Sequence, residues 1–458
     1  CNLDLIDTFL EIYPERVEDL LLCRDYTFYD NPDVVLPRKF KHVLVDGKVR
    51  QYCAVVREQE KVERIQWRSE LPTFVRTRYG KGEIYKTSLL VKLLSIVANR
   101  IATLDPRGIG VEMEADKPGW NDSMNGLPGL LGSSLCETLE LERLCRFLRS
   151  SLNLVSVSEI EVFEELHEFM RELNKAVQRR ISGASPLAYW RKSNELKEFY
   201  RARVKLGISG REHRVSVKWL RNFLDTCLEM LGSALSSEKV VHPLGVPYTY
   251  FINEASDYRI LWKDSKKKIP LCGPSGYPCV EIRKFRFRPV SLFLEGPVHM
   301  LRVHSETAPH IYRAVRRSQL YDRKLKMFKV CESLEREPFE IGRVRAYARG
   351  WLENESVYLH MEYKWLLELL RSGLHREFYR EIKNTLIPFL NPEVYGRSIL
   401  EGVSAIVSSA FPDENFHGRG VQPRLSGVTA EMIHMWTLMV SGPRPFRLNE
   451  RGELVLKL

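Results

Sequence analysis

Apolar residues recur every three to four positions along most of the chain, which is the periodicity of amphipathic α-helices. Leu89, Leu93, Ile96 and Val97 share one face of such a segment, which ends at a “DPRG” turn. The pattern predicts roughly ten or more helices. Four of the predicted helices start near residues 5, 89, 137 and 161. The others are predicted near the following ranges: 188–206, 215–234, 306–330, 357–372, 376–386 and 429–440.

Local signals place some of the helix ends. Ser134 with Glu137, and Ser158 with Glu161, have the spacing of a capping box, in which a Ser and a Glu three residues later satisfy the first backbone N–H groups. Gly373 follows “WLLELLRS” and is typical of the position after a helix, because glycine adopts positive φ without strain.

Strand patterns are few and short. They are “GIGVEM” at 108–113, “VPYTYFI” at 246–252, and an alternating tail from residue 445 that has no partner strand after it. No solenoid repeat is visible. We therefore predict an all-α fold, an (α/α)6 toroid of six helical hairpins, over residues 1–440. Residues 441–458 are predicted to start a truncated C-terminal β segment.

Composition narrows the class of protein. The 458 residues are 44% hydrophobic with a net charge of +11, and no apolar run approaches the length of a membrane span. The basic residues alternate with acidic ones, and the densest basic run is only Lys266–Lys268, so we expect no nucleic-acid or membrane partner. A basic excess also suits a site that collects an anion such as phosphate.

The nine cysteines are spread along the chain, which indicates reduced thiols and a cytoplasmic protein. Cys272 and Cys279 are too far apart for a zinc knuckle and lack a second pair. The sequence therefore predicts neither a metal site nor an organic cofactor.

Three loops combine acidic, amide, aromatic and glycine residues where helices should begin or end. They are “EMEADKPGWNDSMNGLPG” at 112–129, “ARGWLENESVYLHMEYKW” at 348–365, and the segment Asn391–Met432. Asp122, in the first loop, is the candidate catalytic acid, although an Asp among turn residues commonly just bonds its own backbone.

The four short motifs in these loops resemble, in order, those of the inverting β-glycoside phosphorylases, the cellobiose and chitobiose phosphorylase family. The family motifs “DWNDGMN”, “ENGG” with a following His, “PYVY” and “HG…LTGTA” are similar to the following segments: 119–125, 353–356 with His360, 392–395, and 417–418 with 425–427. Gly119 replaces the first Asp, “ENES” replaces “ENGG”, and Ser426 replaces the Thr of the last motif.

This resemblance implies that Asp122 is the general acid. It implies phosphate binding by His360, His417, Ser426 and Gly427. Substrate binding is implied for the following residues: Trp120, Asn121, Asn125, Glu353, Asn354 and Tyr395. The family's N-terminal β-sandwich has no counterpart, so we expect a catalytic-domain portion of a longer protein.

The expected activity is inverting phosphorolysis of a β-glucosidic bond, with inorganic phosphate as co-substrate and a β-linked disaccharide or oligosaccharide as substrate. A turn such as Ser426–Gly427 at a helix N-terminus can bind an anion. One alternative is an inverting β-glucan hydrolase, whose base would be Glu353, Glu355 or Glu431. Another is a catalytically silent carbohydrate-binding domain, and a homodimer is left open.

Overall fold

Helices and strands both contribute to the fold of this protein. The computed structural model describes residues 2–117 and 122–456. It is 47% helical and 20% strand, with several antiparallel sheets, one of them four-stranded. The prediction of an all-α toroid is therefore wrong.

The largest error concerns two long strands, Tyr250–Ile260 and Val280–Pro289. The second reads “VEIRKFRFRP”, in which apolar and charged residues alternate with the period of two that strands show, apart from the pair Arg283–Lys284. The sequence predicts only the first residues of the other strand as extended. Beyond them it reads “NEASDYRI”, in which apolar and polar residues do not alternate regularly.

Two further segments differ from the helical prediction. Glu159–Phe163 is a strand that pairs antiparallel with Glu212–Ser216, so the helix predicted from the second capping box begins only at Glu164. The helix expected over 306–330 ends at Arg317, and the chain then forms a hairpin in which Tyr321 pairs with Phe328. In both cases strand pairing overrides the local helix signal.

The described residues form two compact units that alternate along the sequence. Each unit consists of three separate stretches of chain. The first unit contains residues 2–117, 141–236 and 253–286, and the second contains 122–140, 237–252 and 287–456. The helix Leu135–Ser151 begins in the second unit and continues into the first.

The first unit has a helical core. Most of its buried side chains belong to the helix Leu89–Ile101 and to other helices of the unit, which pack against one another. The helices of six or more residues in this unit are as follows: Asn2–Ile12, Val17–Leu22, Gln59–Gln66, Leu89–Ile101, Glu164–Ile181, Pro186–Val204 and Val217–Leu235. Its short strand pairs are as follows: Asp33–Val35 with Val55–Arg57, His42–Val45 with Lys48–Gln51, and Trp262–Asp264 with Ile269–Pro270.

The second unit is built around Leu359–Arg371, a helix whose Trp365 is fully buried. Three other helices pack on it: Glu295–Val303, His375–Thr385 and Ser426–Ser441. The helix Ala308–Arg317 and the following strands complete the unit: Gly132–Ser134, Tyr321–Asp322, Met327–Phe328, Val357–Tyr358, Val403–Ile406, Gly420–Pro423, Phe446–Leu448 and Leu454–Leu456. The last two strands pair with each other, so the tail carries its own partner strand.

Within the described residues, every helix falls short of the length and apolar character that a membrane crossing requires.

Candidate active site

A three-stranded sheet in the second unit positions two of the three candidate loops. Its middle strand, Val403–Ile406, pairs antiparallel with Val357–Tyr358 on one side and with Gly420–Pro423 on the other. The two outer strands therefore run in the same direction. Each leads into a helix, Leu359–Arg371 or Ser426–Ser441, and these two helices pack together.

This arrangement brings His360 against Gly427. A methyl group on Gly427 would lie 2.5 Å from the Cε1 atom of His360, so only glycine fits without moving the imidazole. Ser426 is exposed at the first position of its helix. Three of the four predicted phosphate-binding residues are therefore neighbours at a helix N-terminus, where backbone N–H groups favour anions.

The carboxylate of Glu431 lies close to His360 near the same helix N-terminus. Glu431 Oε1 lies 3.7 Å from His360 Nε2. Burial raises the pKa of Glu431, but a hydrogen bond with His360 and the charge of Lys364 outweigh it and leave that pKa below its usual value. Glu431 is therefore ionised at neutral pH, and it would compete with phosphate for His360.

The loop that carries Asp122 is fixed by its neighbours while Asp122 itself is exposed. The Gly126 N–H donates to Ile341 O at 3.1 Å, and a methyl group on Gly126 would lie only 1.9 Å from Glu340 O. The Asn125 side-chain oxygen accepts from the Arg343 N–H at 3.4 Å. Close backbone packing therefore holds an acid in contact with water.

Tyr358 connects this loop to the second one. Burial raises the pKa of Tyr358, the carboxylates of Glu353 and Asp122 raise it further, and Arg343 opposes them. The phenol thus lies in the electrostatic field of both acids. Since Tyr358 is two residues before His360, which contacts Gly427, the second and third loops meet at the start of the Leu359–Arg371 helix.

Among the described residues, Glu353 and Asn354 each have one side-chain oxygen without a partner. Glu353 Oε2 and Asn354 Oδ1 are buried and have no hydrogen-bond partner among the described residues. The Asn354 side-chain N–H donates to Tyr347 O at 2.7 Å, which fixes the amide. Because an unpaired buried acceptor costs about 1–3 kcal/mol, these oxygens are candidates for ligand binding.

Glu355 has a different environment from Glu353. It is 2% exposed, and its carboxylate contacts Lys329 Nζ and Arg349 Nε, each at 2.8 Å. Ser408 Oγ donates to its backbone oxygen at 2.6 Å. The buried carboxylate of Glu355 therefore already forms ion pairs with two protein cations.

The side chains of His417 and Tyr395 also form hydrogen bonds with other groups of the protein. The two ring nitrogens of His417 lie 2.9 Å from Lys324 Nζ and 2.8 Å from Phe411 O. Tyr395 is 1% exposed, its hydroxyl donates to Glu401 O at 2.7 Å, and burial raises its pKa to about 12. Both residues hold the third loop in shape, and their ligand-binding roles stay predictions.

Trp120 and Asn121, the other two predicted substrate-binding residues, lie outside the described residues.

Sequence reasoning missed Tyr358, Arg343 and a cavity. Tyr358 lies in the second loop but was not among its candidate residues, and Arg343 lies in a segment without a motif. The cavity, of about 440 Å³, has His242, Arg336 and Arg349 in its wall. No predicted site residue in the described part of the chain lines it. Nothing in the spacing of these residues predicted the cavity, because they come from separate stretches of sequence.

The described residues also contain one group with the chemistry of metal ligands. Ligand atoms of Cys136, Glu295 and His299 all lie within 4.8 Å of one another.

Comparison of the sequence with protein-family models and with curated proteins gave no match in either case.

Proposed function

We propose that the second unit hydrolyses a β-glycosidic bond with inversion, using Asp122 and Glu353 as the two carboxylates. One observation carries the proposal: both acids act on the Tyr358 phenol, and Glu353 keeps a buried oxygen without a partner among the described residues. Inverting glycosidases need two carboxyl groups on opposite sides of the scissile bond, about 6.5–9.5 Å apart, with room for water between them.

The family resemblance assigns the acid role to Asp122, so the base role falls to Glu353. Asp122 is the exposed acid of the “WNDSMN” loop and protonates the leaving oxygen. Glu353 accepts a proton from the attacking water. The side-chain oxygen of Asn354 accepts a hydrogen bond from a sugar hydroxyl. The substrate is a β-linked disaccharide or oligosaccharide, and the compartment that we propose is the cytoplasm.

A second candidate is phosphorolysis, and the contact between His360 and Gly427 at a helix N-terminus favours it. In that reaction phosphate replaces both water and the base, so Glu353 would only bind substrate. The ionised Glu431 beside His360 argues against this candidate, because a carboxylate repels phosphate.

A panel of β-linked disaccharides, with and without phosphate, tests both candidates. Hydrolysis should release free sugars at a rate that phosphate does not change, and NMR of the first product should show the α-anomer. Formation of a sugar 1-phosphate that requires phosphate would replace the first proposal by the second. The absence of turnover on the whole panel would contradict both, and favour a binding domain.

Two variants test the residues. Asp122→Asn should lower turnover of unactivated disaccharides by about 10²–10⁴-fold, but spare aryl glycosides whose leaving group needs no proton. Glu353→Gln should lower turnover of both substrate types by a similar factor, because water must still be activated. The matched control is Glu414→Gln, whose side chain is 82% exposed and pairs with Lys324. Equal activity in Asp122→Asn and in the control would disprove the acid assignment.

A further inference from the structure

Cys136, Glu295 and His299 form a compact cluster in the second unit, separate from the proposed hydrolase residues. Cys136 and Glu295 are 4% and 5% exposed. Glu295 and His299 are four residues apart on the helix Glu295–Val303, so both point from one face of it. A thiol, a carboxylate and an imidazole thus converge in the interior.

The distances suit one metal ion. The three ligand atoms lie within 4.8 Å of one another, and His299 Nε2 lies 3.8 Å from Glu295 Oε1. Ligand atoms that bind one zinc ion at about 2.0–2.3 Å are about 3.3–3.8 Å apart. Small side-chain movements therefore complete three of the four positions of a tetrahedral site.

The surrounding groups orient the ligands as those of metal sites do. Glu140 Oε1 lies 2.9 Å from His299 Nδ1, so the imidazole donates there and leaves Nε2 for a metal. Tyr250 donates its hydroxyl hydrogen bond to Glu295 Oε2 at 2.6 Å, and leaves Oε1 on the side of His299. A carboxylate behind a ligating histidine is a recurrent arrangement in zinc proteins.

Backbone packing fixes the cluster before any metal binds. Thr249 Oγ1 accepts from the Gly296 N–H, and Thr249 O accepts from the Leu135 N–H, each at 2.9 Å. A methyl group on Gly296 would lie 2.6 Å from Tyr248 O, so the helix can approach the Tyr248–Thr249 backbone this closely only with glycine at position 296. The residue after Leu135 is Cys136, and the one before Gly296 is Glu295.

From this geometry we infer a zinc site, with Cys136 Sγ, Glu295 Oε1 and His299 Nε2 as ligands and water in the fourth position. Sulfur, nitrogen and oxygen ligands together favour Zn²⁺ over Mg²⁺ or Ca²⁺, which prefer oxygen. Binding deprotonates the thiol, and the proton passes to solvent while the thiolate–zinc bond forms. The ion ties residues 122–140, which include Asp122, to the Glu295–Val303 helix.

Cobalt substitution gives a direct test on the full chain. After treatment with a chelator, the protein is titrated with Co²⁺ and then with Zn²⁺. We expect one equivalent of Co²⁺ with a thiolate-to-metal absorption band, which one equivalent of Zn²⁺ removes. A protein without this band, or with a band that persists in Cys136→Ser, would overturn the inference.

Three variants separate this site from other thiols and from misfolding. Cys136→Ser should abolish the band, and Glu140→Gln should weaken zinc binding about 10–100-fold while keeping the band, because it removes only the orienting group. The control Cys331→Ser changes another buried cysteine of the same unit and should leave the band intact. If the band is lost in Cys272→Ser, metal binding belongs to that exposed cysteine and the inference is wrong.

A rival arrangement is a protonated His299 that pairs with Glu140 and Glu295 and binds no metal. It predicts no cobalt band and a melting temperature that zinc does not change. The zinc site predicts a rise in the melting temperature of the wild type with zinc, absent in Cys136→Ser. Neither outcome depends on glycoside turnover, so the test is independent of the proposed hydrolase.

Discussion

Glu114 in the first unit and Glu353 in the second have opposite surroundings. In the first unit, the Glu114 carboxylate forms ion pairs with Lys117 Nζ at 2.6 Å, with Arg201 at 2.8 Å and with Lys41 Nζ at 3.4 Å. Burial alone would raise the pKa of Glu114, yet these cations hold it far below its usual value. In the second unit, Glu353 keeps a buried oxygen without a partner among the described residues.

The difference distinguishes an acid that the protein compensates from one that can still bind a ligand. A buried carboxylate surrounded by cations is fully compensated, and a substrate could gain nothing from it. A carboxylate with an unused oxygen lowers stability, which a fold tolerates where a ligand supplies the missing contact. Glu355, two residues after Glu353, follows the first pattern, so the distinction operates even between near neighbours.

The largest effect is expected for Glu114→Gln. It leaves Lys41 and Arg201 without their buried counter-charge, and breaking such a pair costs about 3–5 kcal/mol. Urea unfolding should show this loss. Glu195→Gln is the control, because Glu195 is 70% exposed in its pair with Lys192 and should contribute less than about 1 kcal/mol. A loss below about 1 kcal/mol for Glu114→Gln would remove the contrast between the units.

The next effect depends on pH and concerns Glu362 in the second unit. Burial raises its pKa from 4.5 to about 8, although Phe328 N–H and Thr385 Oγ1 donate to its Oε1 atom. Because this pKa is higher in the folded state, the stabilisation is complete below about pH 4.5 and is lost as pH rises towards 8.

Unfolding free energies of the wild type and of Glu362→Gln should therefore diverge between pH 5 and pH 8. The wild type should lose up to about 1.4 kcal/mol per pH unit relative to the variant, which cannot ionise. Glu414→Gln, with its carboxylate in water, serves as control for the pH dependence of the rest of the protein. Parallel curves for the wild type and Glu362→Gln would show that Glu362 does not titrate in this range.

Gly427→Ala should have a smaller effect. Its methyl group would overlap the His360 ring, and forcing extra atoms into a packed position costs about 1–3 kcal/mol. The loss should shrink in a His360→Ala background, where the space is open. Gly232→Ala is the control, because nothing lies within 4 Å of its added carbon and alanine favours its helix. Equal losses in both backgrounds would contradict the contact.

The smallest change in stability is expected for Glu353→Gln, the variant proposed above to lose turnover. It removes a charge whose Oε2 atom has no partner among the described residues, so unfolding free energy should change by less than about 1 kcal/mol, or rise. Urea unfolding measures this. A loss comparable to that of Glu114→Gln would mean that Glu353 is as structural as Glu114, and would weaken the proposed function.

Sequence alone predicted those elements whose signals are local. The helix Leu89–Ile101 begins directly after Ser88, whose side chain accepts from Val91 N–H, and Gly373 has the positive φ of 76° expected after a helix. The strand Glu159–Phe163 was missed because its partner lies some fifty residues later, where no local pattern reveals the pairing.

The residues of the candidate site also divide into those that a local pattern predicts and those that only tertiary contacts reveal. Asp122 and Glu353 stood out because each lies in a short polar loop, where motifs are readable. Arg343 belongs to the candidate site only through tertiary contacts, so its own sequence neighbourhood does not mark it. Tyr358 lies inside the second loop, but no motif residue singles it out. Cys136 and His299 likewise come together from distant segments, which is why spacing alone predicted no metal site.

The interleaving of the two units has a consequence for synthesis on the ribosome. The Asp122 loop and the strand Gly132–Ser134 emerge well before residues 287–456, which supply most of their unit. At about 5–20 residues per second, Gly132–Ser134 waits on the order of ten seconds for its antiparallel partner, Tyr250–Ile252. During that interval its edge is unpaired and other chains can bind it, so slower synthesis lengthens the exposure to aggregation.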